Sequence, residues 1–125
     1  MLVFYTNPGE ADYDMADEVF TDSVYVPSSG RYMNTTKGVP AKELGDTRYY
    51  AAYVKLTDGT YAYSDVYDYS PKQYAMNMLG KTNTSDKQKA LCVAMLNYGA
   101  AAQNYFGYKT SFSSCSYNKW RKNHC

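Results

Sequence analysis

Residues 48–69 read RYYAAYVKLTDGTYAYSDVYDY, two runs (Arg48 to Leu56 and Thr60 to Tyr69) broken by Thr57-Asp58-Gly59. Tyr, Val and Thr dominate both runs and suit a pleated, half-buried surface. Asp-Gly between such runs supplies the positive φ angles of a tight turn, so the stretch predicts an antiparallel hairpin. Two registers are open. A two-residue Asp58-Gly59 loop sets Leu56 opposite Tyr61, Val54 opposite Tyr63 and Tyr50 opposite Tyr67. Tyr50, Ala52, Val54, Leu56, Tyr61, Tyr63 and Tyr67 then form the core side. A three-residue loop with Gly59 in a bulge moves the pairing by one and exchanges the faces of the second strand, sending its tyrosines outward. The choice decides whether the tyrosine ladder is core or binding surface.

Upstream, Leu2 to Tyr5 reads as a short strand stopped by Asn7-Pro8-Gly9. Val19 to Val26 is β-rich and closes at Pro27-Ser28-Ser29-Gly30, and a further strand is expected from Arg31 to about Thr36. Pro40 presets a helical turn in the connection from Val39 to Gly45.

Downstream, helices are predicted over about 71–80 and 86–106. Ser70 is an N-cap and Pro71 occupies the first helical position, with Gly80 placed to stop the helix. Ser85 with Gln88 three residues on makes a capping box. Leu91, Met95, Tyr98, Ala102 and Tyr105 or Phe106 trace the apolar stripe expected to face the core. Gly99-Ala100-Ala101-Ala102 is a small-residue patch open to close approach. Strands first and helices last define an α+β fold: a β-sandwich-like sheet with a C-terminal two-helix hairpin packed on it or appended. Residues 1–110 are expected to make a single module and 111–125 a basic, Cys-containing tail.

The chain has 125 residues, enough for one modest core. Its 16 tyrosines against 4 Phe and 1 Trp put a hydroxyl on much of the apolar surface. The net charge of +1 gives no reason to expect nucleic acid. Residues 1–30 contain six acidic residues and no Lys or Arg, an asymmetry that predicts a solvated acidic loop or one steered toward basic surface. No apolar run reaches the roughly 18–20 residues of a membrane span, and no leader pattern opens the chain.

No constellation for catalysis stands out. The single histidine, His124, is next to last, a poor place for a rigid, oriented base. Carboxylate pairs such as Asp65/Asp68 and Asp12/Asp14 read as solvated. Cys115, His124 and Cys125 lack a fourth zinc ligand. The run from Asp12 to Glu18 fails as an EF-hand, with Asp17 where the loop glycine belongs and Ser23 where the closing Glu belongs. No metal or cofactor is expected. Cys92 reads as a buried thiol, and Cys115 with Cys125 as a disulfide if the protein is exported. Lys119-Trp120-Arg121-Lys122 is too short a basic cluster to predict nucleic-acid binding. The binding surface is expected on the hairpin, at Tyr49, Tyr53, Tyr61, Tyr63, Tyr67 and Tyr69, because rigid amphipathic Tyr favours recognition surfaces.

The segment from Val39 to Thr110 resembles an accessory domain that recurs in large secreted or cell-surface proteins of gut and rumen Firmicutes. The resemblance rests on Ala41-Lys42-Glu43-Leu44-Gly45-Asp46-Thr47, on Lys55-Leu56-Thr57-Asp58-Gly59-Thr60, and on Tyr69-Ser70 with Lys72-Gln73-Tyr74-Ala75. It continues through Lys89-Ala90-Leu91 and Met95-Leu96-Asn97-Tyr98-Gly99-Ala100-Ala101-Ala102-Gln103 to Tyr105-Phe106. It implies a location, outside the cell as part of a larger exported protein, and no activity. The expectation is therefore a non-catalytic binding or adhesion module for a host protein (a glycoprotein or immunoglobulin) or a polysaccharide, without membrane insertion. The alternative is a structural spacer with no ligand of its own.

Overall fold

A computed structural model describes residues 1–108. The expected Cys115–Cys125 disulfide, His124 and the basic cluster at Lys119–Lys122 lie outside those residues. The fold is α+β: antiparallel sheets, then two helices. The contacts of the described residues gather into two compact units, one of residues 1–37 and 47–69, the other of 38–46 and 70–108.

The first unit is built on β1 (Leu2–Phe4), which pairs antiparallel with β2 (Glu18–Val19) on one side and with β5 (Arg48–Ala51) on the other. β8 (Tyr67–Tyr69) completes a four-stranded sheet of order β2-β1-β5-β8. The expected strand over Val19 to Val26 is split, because Phe20 donates its N–H to Met1 O (2.8 Å) while Val24–Val26 pairs elsewhere. That segment, β3, forms a hairpin with β4 (Arg31–Met33), Tyr25 opposite Tyr32. The core packs on Leu2, Phe4 and Ala51, with Tyr49, Tyr53 and Val66 against them. The acidic segment folds onto this core. Asp12 caps a 3-10 turn at Tyr13–Met15, Tyr13 and Ala16 pack inward, and Asp17 accepts the Tyr5 N–H at 2.7 Å.

The 48–69 hairpin uses both registers. At its tip, β6 (Tyr53–Lys55) pairs with β7 (Tyr61–Tyr63), Lys55 opposite Tyr61 and Tyr53 opposite Tyr63. Gly59 sits at φ 86° and closes a three-residue loop in which Gly59 N–H donates to Leu56 O (3.0 Å) and Leu56 N–H to Thr60 O (2.8 Å). Nearer its base, Tyr50 lies opposite Tyr67, the register of the two-residue loop. The mismatch is absorbed where Ala51 alone stands against Asp65 and Val66, a β-bulge. Ser64 anchors it: its N–H donates to Ala52 O (2.9 Å) and its hydroxyl oxygen accepts the Ala52 N–H (2.8 Å).

This corrects the expected core face. The inward residues of the first strand are Tyr49, Ala51 and Tyr53, while Val54 and Leu56 are exposed. Buried β1, which pairs with β5, decides the matter, and the hairpin alone carries no sign of it.

The second unit holds a 3-10 turn at Ala41–Glu43 and two helices, α1 (Pro71–Gly80) and α2 (Asp86–Phe106), with the predicted boundaries. Ser70 accepts the Gln73 N–H (3.0 Å), and Ser85 and Gln88 form the capping box. Gly80 is not the stop expected of it. It remains helical, and the chain leaves at Lys81 (φ −82°, ψ 142°). Met78 O, which a left-handed glycine would otherwise help to satisfy, accepts from the Thr84 hydroxyl (2.6 Å) and the Lys81 N–H (3.3 Å). At the end of α2, Gly107 takes the left-handed conformation, φ 61°.

The core of this unit is Ala75, Leu79, Cys92 and Leu96, so Cys92 is the buried thiol expected. Most of the stripe predicted to face it does not. Of its members only Met95 packs against this core and Ala102 is half-buried; Leu91, Tyr98, Tyr105 and Phe106 are exposed, and α2 turns Cys92, Leu96, Gly99 and Gln103 inward. Gln103 is buried because its Nε2 donates to Lys42 O (3.1 Å), tying α2 to the turn at Ala41–Glu43. Asp46 accepts the Tyr108 hydroxyl at 2.6 Å.

Candidate functional site

The bulge distributes the six hairpin tyrosines expected to bind over two faces. Tyr61 and Tyr63 lie on the side of Tyr53, and Tyr49 packs on the same core. They join a residue from the acidic segment. Tyr13 stacks on Tyr61 (centroids 4.4 Å apart, planes 7°) and meets Tyr53 edge-on at 5.4 Å, and its backbone N–H donates to the Tyr63 hydroxyl at 2.9 Å. Tyr61 also contacts Tyr53 (5.9 Å) and Tyr63 (6.3 Å). Desolvation, reinforced by the neighbouring Tyr13, Tyr53 and Tyr63 hydroxyls, raises the Tyr61 pKa above the ordinary phenol value. These rings hold one another, which makes them a packing cluster.

Past the bulge the second strand presents its other side. Tyr67 and Tyr69 are exposed, and Tyr69 meets Tyr50 edge-on at 6.3 Å. Tyr50 and Tyr67, directly opposite one another, open with Tyr32 of β4 onto a cleft of about 660 Å³. Val54 and Ala52 add apolar surface to it, and Ser23, Asn34 and Ser64 add hydroxyl and amide groups. Asn34 Nδ2 donates to Ser23 Oγ at 3.1 Å, which orients the two toward each other. Among the described residues no Asp, Glu, Lys or Arg side chain lines the cleft, and Met1, whose N-terminal ammonium donates to Phe20 O at 2.7 Å, lies at its wall. A concave, mostly apolar surface with a few polar groups is the usual form of a small-ligand site, and its volume lies in that range.

Of the residues predicted from sequence, Tyr53 and Tyr67 reach this cleft, while Tyr49, Tyr61, Tyr63 and Tyr69 do not line it. Tyr32, Tyr50, Asn34 and Ser23 were not expected there. The signal for Tyr32 is the spacing of Tyr25-Val26 and Arg31-Tyr32 about the Pro27–Gly30 turn, which sets the two tyrosines opposite each other, their rings 5.1 Å apart. Asp65 and Asp68 line a separate concavity of about 530 Å³ with Asn7 and Tyr49. Among the described residues no group of three or more His, Cys, Asp or Glu could hold a metal ion, and no helix is long and apolar enough to cross a membrane.

Compared with known protein families, with curated proteins and with solved structures, the chain matches no family, no curated protein and no solved structure.

Proposed function

We propose that this chain is a non-catalytic extracellular binding module of a bacterial surface protein, and that its ligand is a neutral polysaccharide held in the tyrosine-walled cleft. One observation carries the choice of a glycan over a host protein. Tyr32, Tyr50 and Tyr67 give ring surface beside Ser23 and Asn34, with no charged side chain in the wall among the described residues. Tyrosine rings stack on the apolar faces of sugar rings, and amides and hydroxyls exchange hydrogen bonds with sugar hydroxyls. A concave groove walled by tyrosine rings and neutral polar side chains suits a chain of such units better than a broad protein surface, where Arg is enriched. Placement outside the cell rests on the resemblance of residues 39–110 to surface-protein accessory domains.

The test is affinity gel electrophoresis against soluble neutral polysaccharides (a galactomannan, a xyloglucan, a mixed-linkage β-glucan), with an acidic polysaccharide as control. Retardation by at least one neutral polymer is expected, and Tyr67→Ala or Tyr32→Ala should remove it while far-UV circular dichroism stays unchanged. Unretarded migration in every gel would reject the glycan reading and favour the structural spacer.

A further inference from the structure

The geometry points to a second contact surface, independent of the cleft: the outer face of α2 pairs with the same face of a second copy of this chain, the two helices antiparallel. The observation is an apolar face left in water. Leu91, Ala94, Tyr98, Ala101 and Tyr105 are all exposed, Leu91 by 71%, Tyr98 by 66% and Tyr105 by 83%. An outward helix face ordinarily carries charge. From Ala90 to Phe106 this helix has no Asp, Glu, Lys or Arg on any face.

The spacing of those five residues is 3, 4, 3, 4, the repeat by which one helix keeps a single seam toward another. The large residues Leu91, Tyr98 and Tyr105 recur every seventh position, and the alanines Ala94 and Ala101 fill the alternate positions. A seam of large residues alternating with Ala is complementary to itself when reversed. In an antiparallel pair Leu91 of each copy meets Ala101 of the other, and Tyr98 meets Ala94. Tyr105 then lies over the aliphatic stem of Lys87, an exposed residue four positions before Leu91. A parallel pair would set Tyr98 on Tyr98 and Ala94 on Ala94, alternating crowding with gaps.

Charge favours the same direction. All of the charge on α2, Asp86, Lys87 and Lys89, lies in its first turn and is net positive. The antiparallel arrangement keeps the two positive first turns at opposite ends of the pair, whereas a parallel pair would set them side by side. Burying the exposed parts of the three large side chains and the two alanines removes on the order of 1,000 Å² over both copies, the threshold of a specific but weak interface. A membrane-surface helix would instead set Lys and Arg along the polar margins of the face, and these margins hold Asn97 and Asn104.

Sedimentation velocity of the full chain over a concentration series tests this. The weight-average mass should rise toward twice the monomer value with a dissociation constant on the order of 10–100 µM. Tyr98→Glu should hold it at the monomer mass with helicity unchanged, since the residue is exposed. Leu91→Lys and Ala101→Glu should each be monomeric alone and should associate when mixed, because only the antiparallel register sets position 91 of one copy against 101 of the other. A wild-type chain that stays monomeric up to ~1 mM would overturn the proposal and leave the face to a different partner. So would association that Tyr98→Glu does not reduce. Failure of the mixed pair to associate would overturn the antiparallel register.

Discussion

Replacing Tyr61 by Ala tests whether the hairpin tyrosines nearest the tip hold the first unit together. The change removes the stack on Tyr13 at 4.4 Å and the contacts with Tyr53 at 5.9 Å and Tyr63 at 6.3 Å. Aromatic pairs contribute about 0.5–1.5 kcal/mol each beyond area burial, and the stacked pair has the most overlap. The two looser contacts together count for roughly one such pair, and lost burial of a half-buried ring adds about 1 kcal/mol. The expected destabilisation is therefore about 2–4 kcal/mol, a fall of roughly 1–3 M in urea midpoint for a chain of this size. Tyr67→Ala, which strips an exposed ring, should cost under about 0.5 kcal/mol. Urea titration followed by near-UV circular dichroism is the assay, because most of the tyrosines lie in residues 1–69. A double-mutant cycle on Tyr13 and Tyr61 isolates the stack and should return a coupling of about 1 kcal/mol. A coupling of zero within error, or equal losses for Tyr61→Ala and Tyr67→Ala, would refute the division of the tyrosines into a packed set and an exposed set.

The assignment of the inner face of α2 is open to a paired test: Leu79→Ala should destabilise the helical unit by about 2–4 kcal/mol, whereas Leu91→Ala should stay within about 0.5 kcal/mol, both read at 222 nm at low protein concentration. The hairpin turn should be acid-sensitive. Asp58 accepts from the Thr60 hydroxyl (2.6 Å) and the Thr60 N–H (2.9 Å), which hold its pKa below the ordinary 3.8. Its stabilisation is present above 3.8 and lost as pH falls through the folded value, so the difference in unfolding midpoint between wild type and Asp58→Ala should shrink over that window. At the alkaline end Tyr61 behaves oppositely. Its pKa is raised above 10.0, so its stabilisation is present below 10.0 and lost as pH rises through the folded value. Phenolate absorbance should show a late-titrating tyrosine that Tyr61→Phe deletes.

What could be read from the sequence divides along a physical line. Helix starts were legible because caps are local: Ser70 with Pro71 and Ser85 with Gln88 satisfy N–H groups within one turn, and both helices begin where those residues place them. Turns were legible for the same reason, as at Asp58-Gly59. Faces were not. On the hairpin, local chemistry permits two registers, and the structure uses both because Ser64 can close a bulge between them. Which face turns inward is then set by β1, more than forty residues earlier in the chain.

The misread stripe on α2 has a related cause, and it bears on function. Counting apolar residues at helical spacing picks the outer stripe, since Leu91, Tyr98 and Tyr105 are larger than the Cys92, Gly99 and Gln103 that turn inward. Size was the wrong guide. Apart from Leu96 the inner stripe carries little apolar bulk, and Gln103 is admitted to it because Lys42 O accepts its amide. A helix apolar on both faces has more surface to bury than the described residues around it cover. The same reasoning separates the tyrosines of the first unit. Those with a neighbour from the acidic segment are accounted for by packing, and those at the cleft, Tyr32 and Tyr67, have ring surface that the fold leaves uncovered. In both units the residues with the best claim to an outside partner are large apolar groups that local stability does not require. A substitution there should change association while leaving the unfolding midpoint in place, the reverse of what Tyr61→Ala and Leu79→Ala should do.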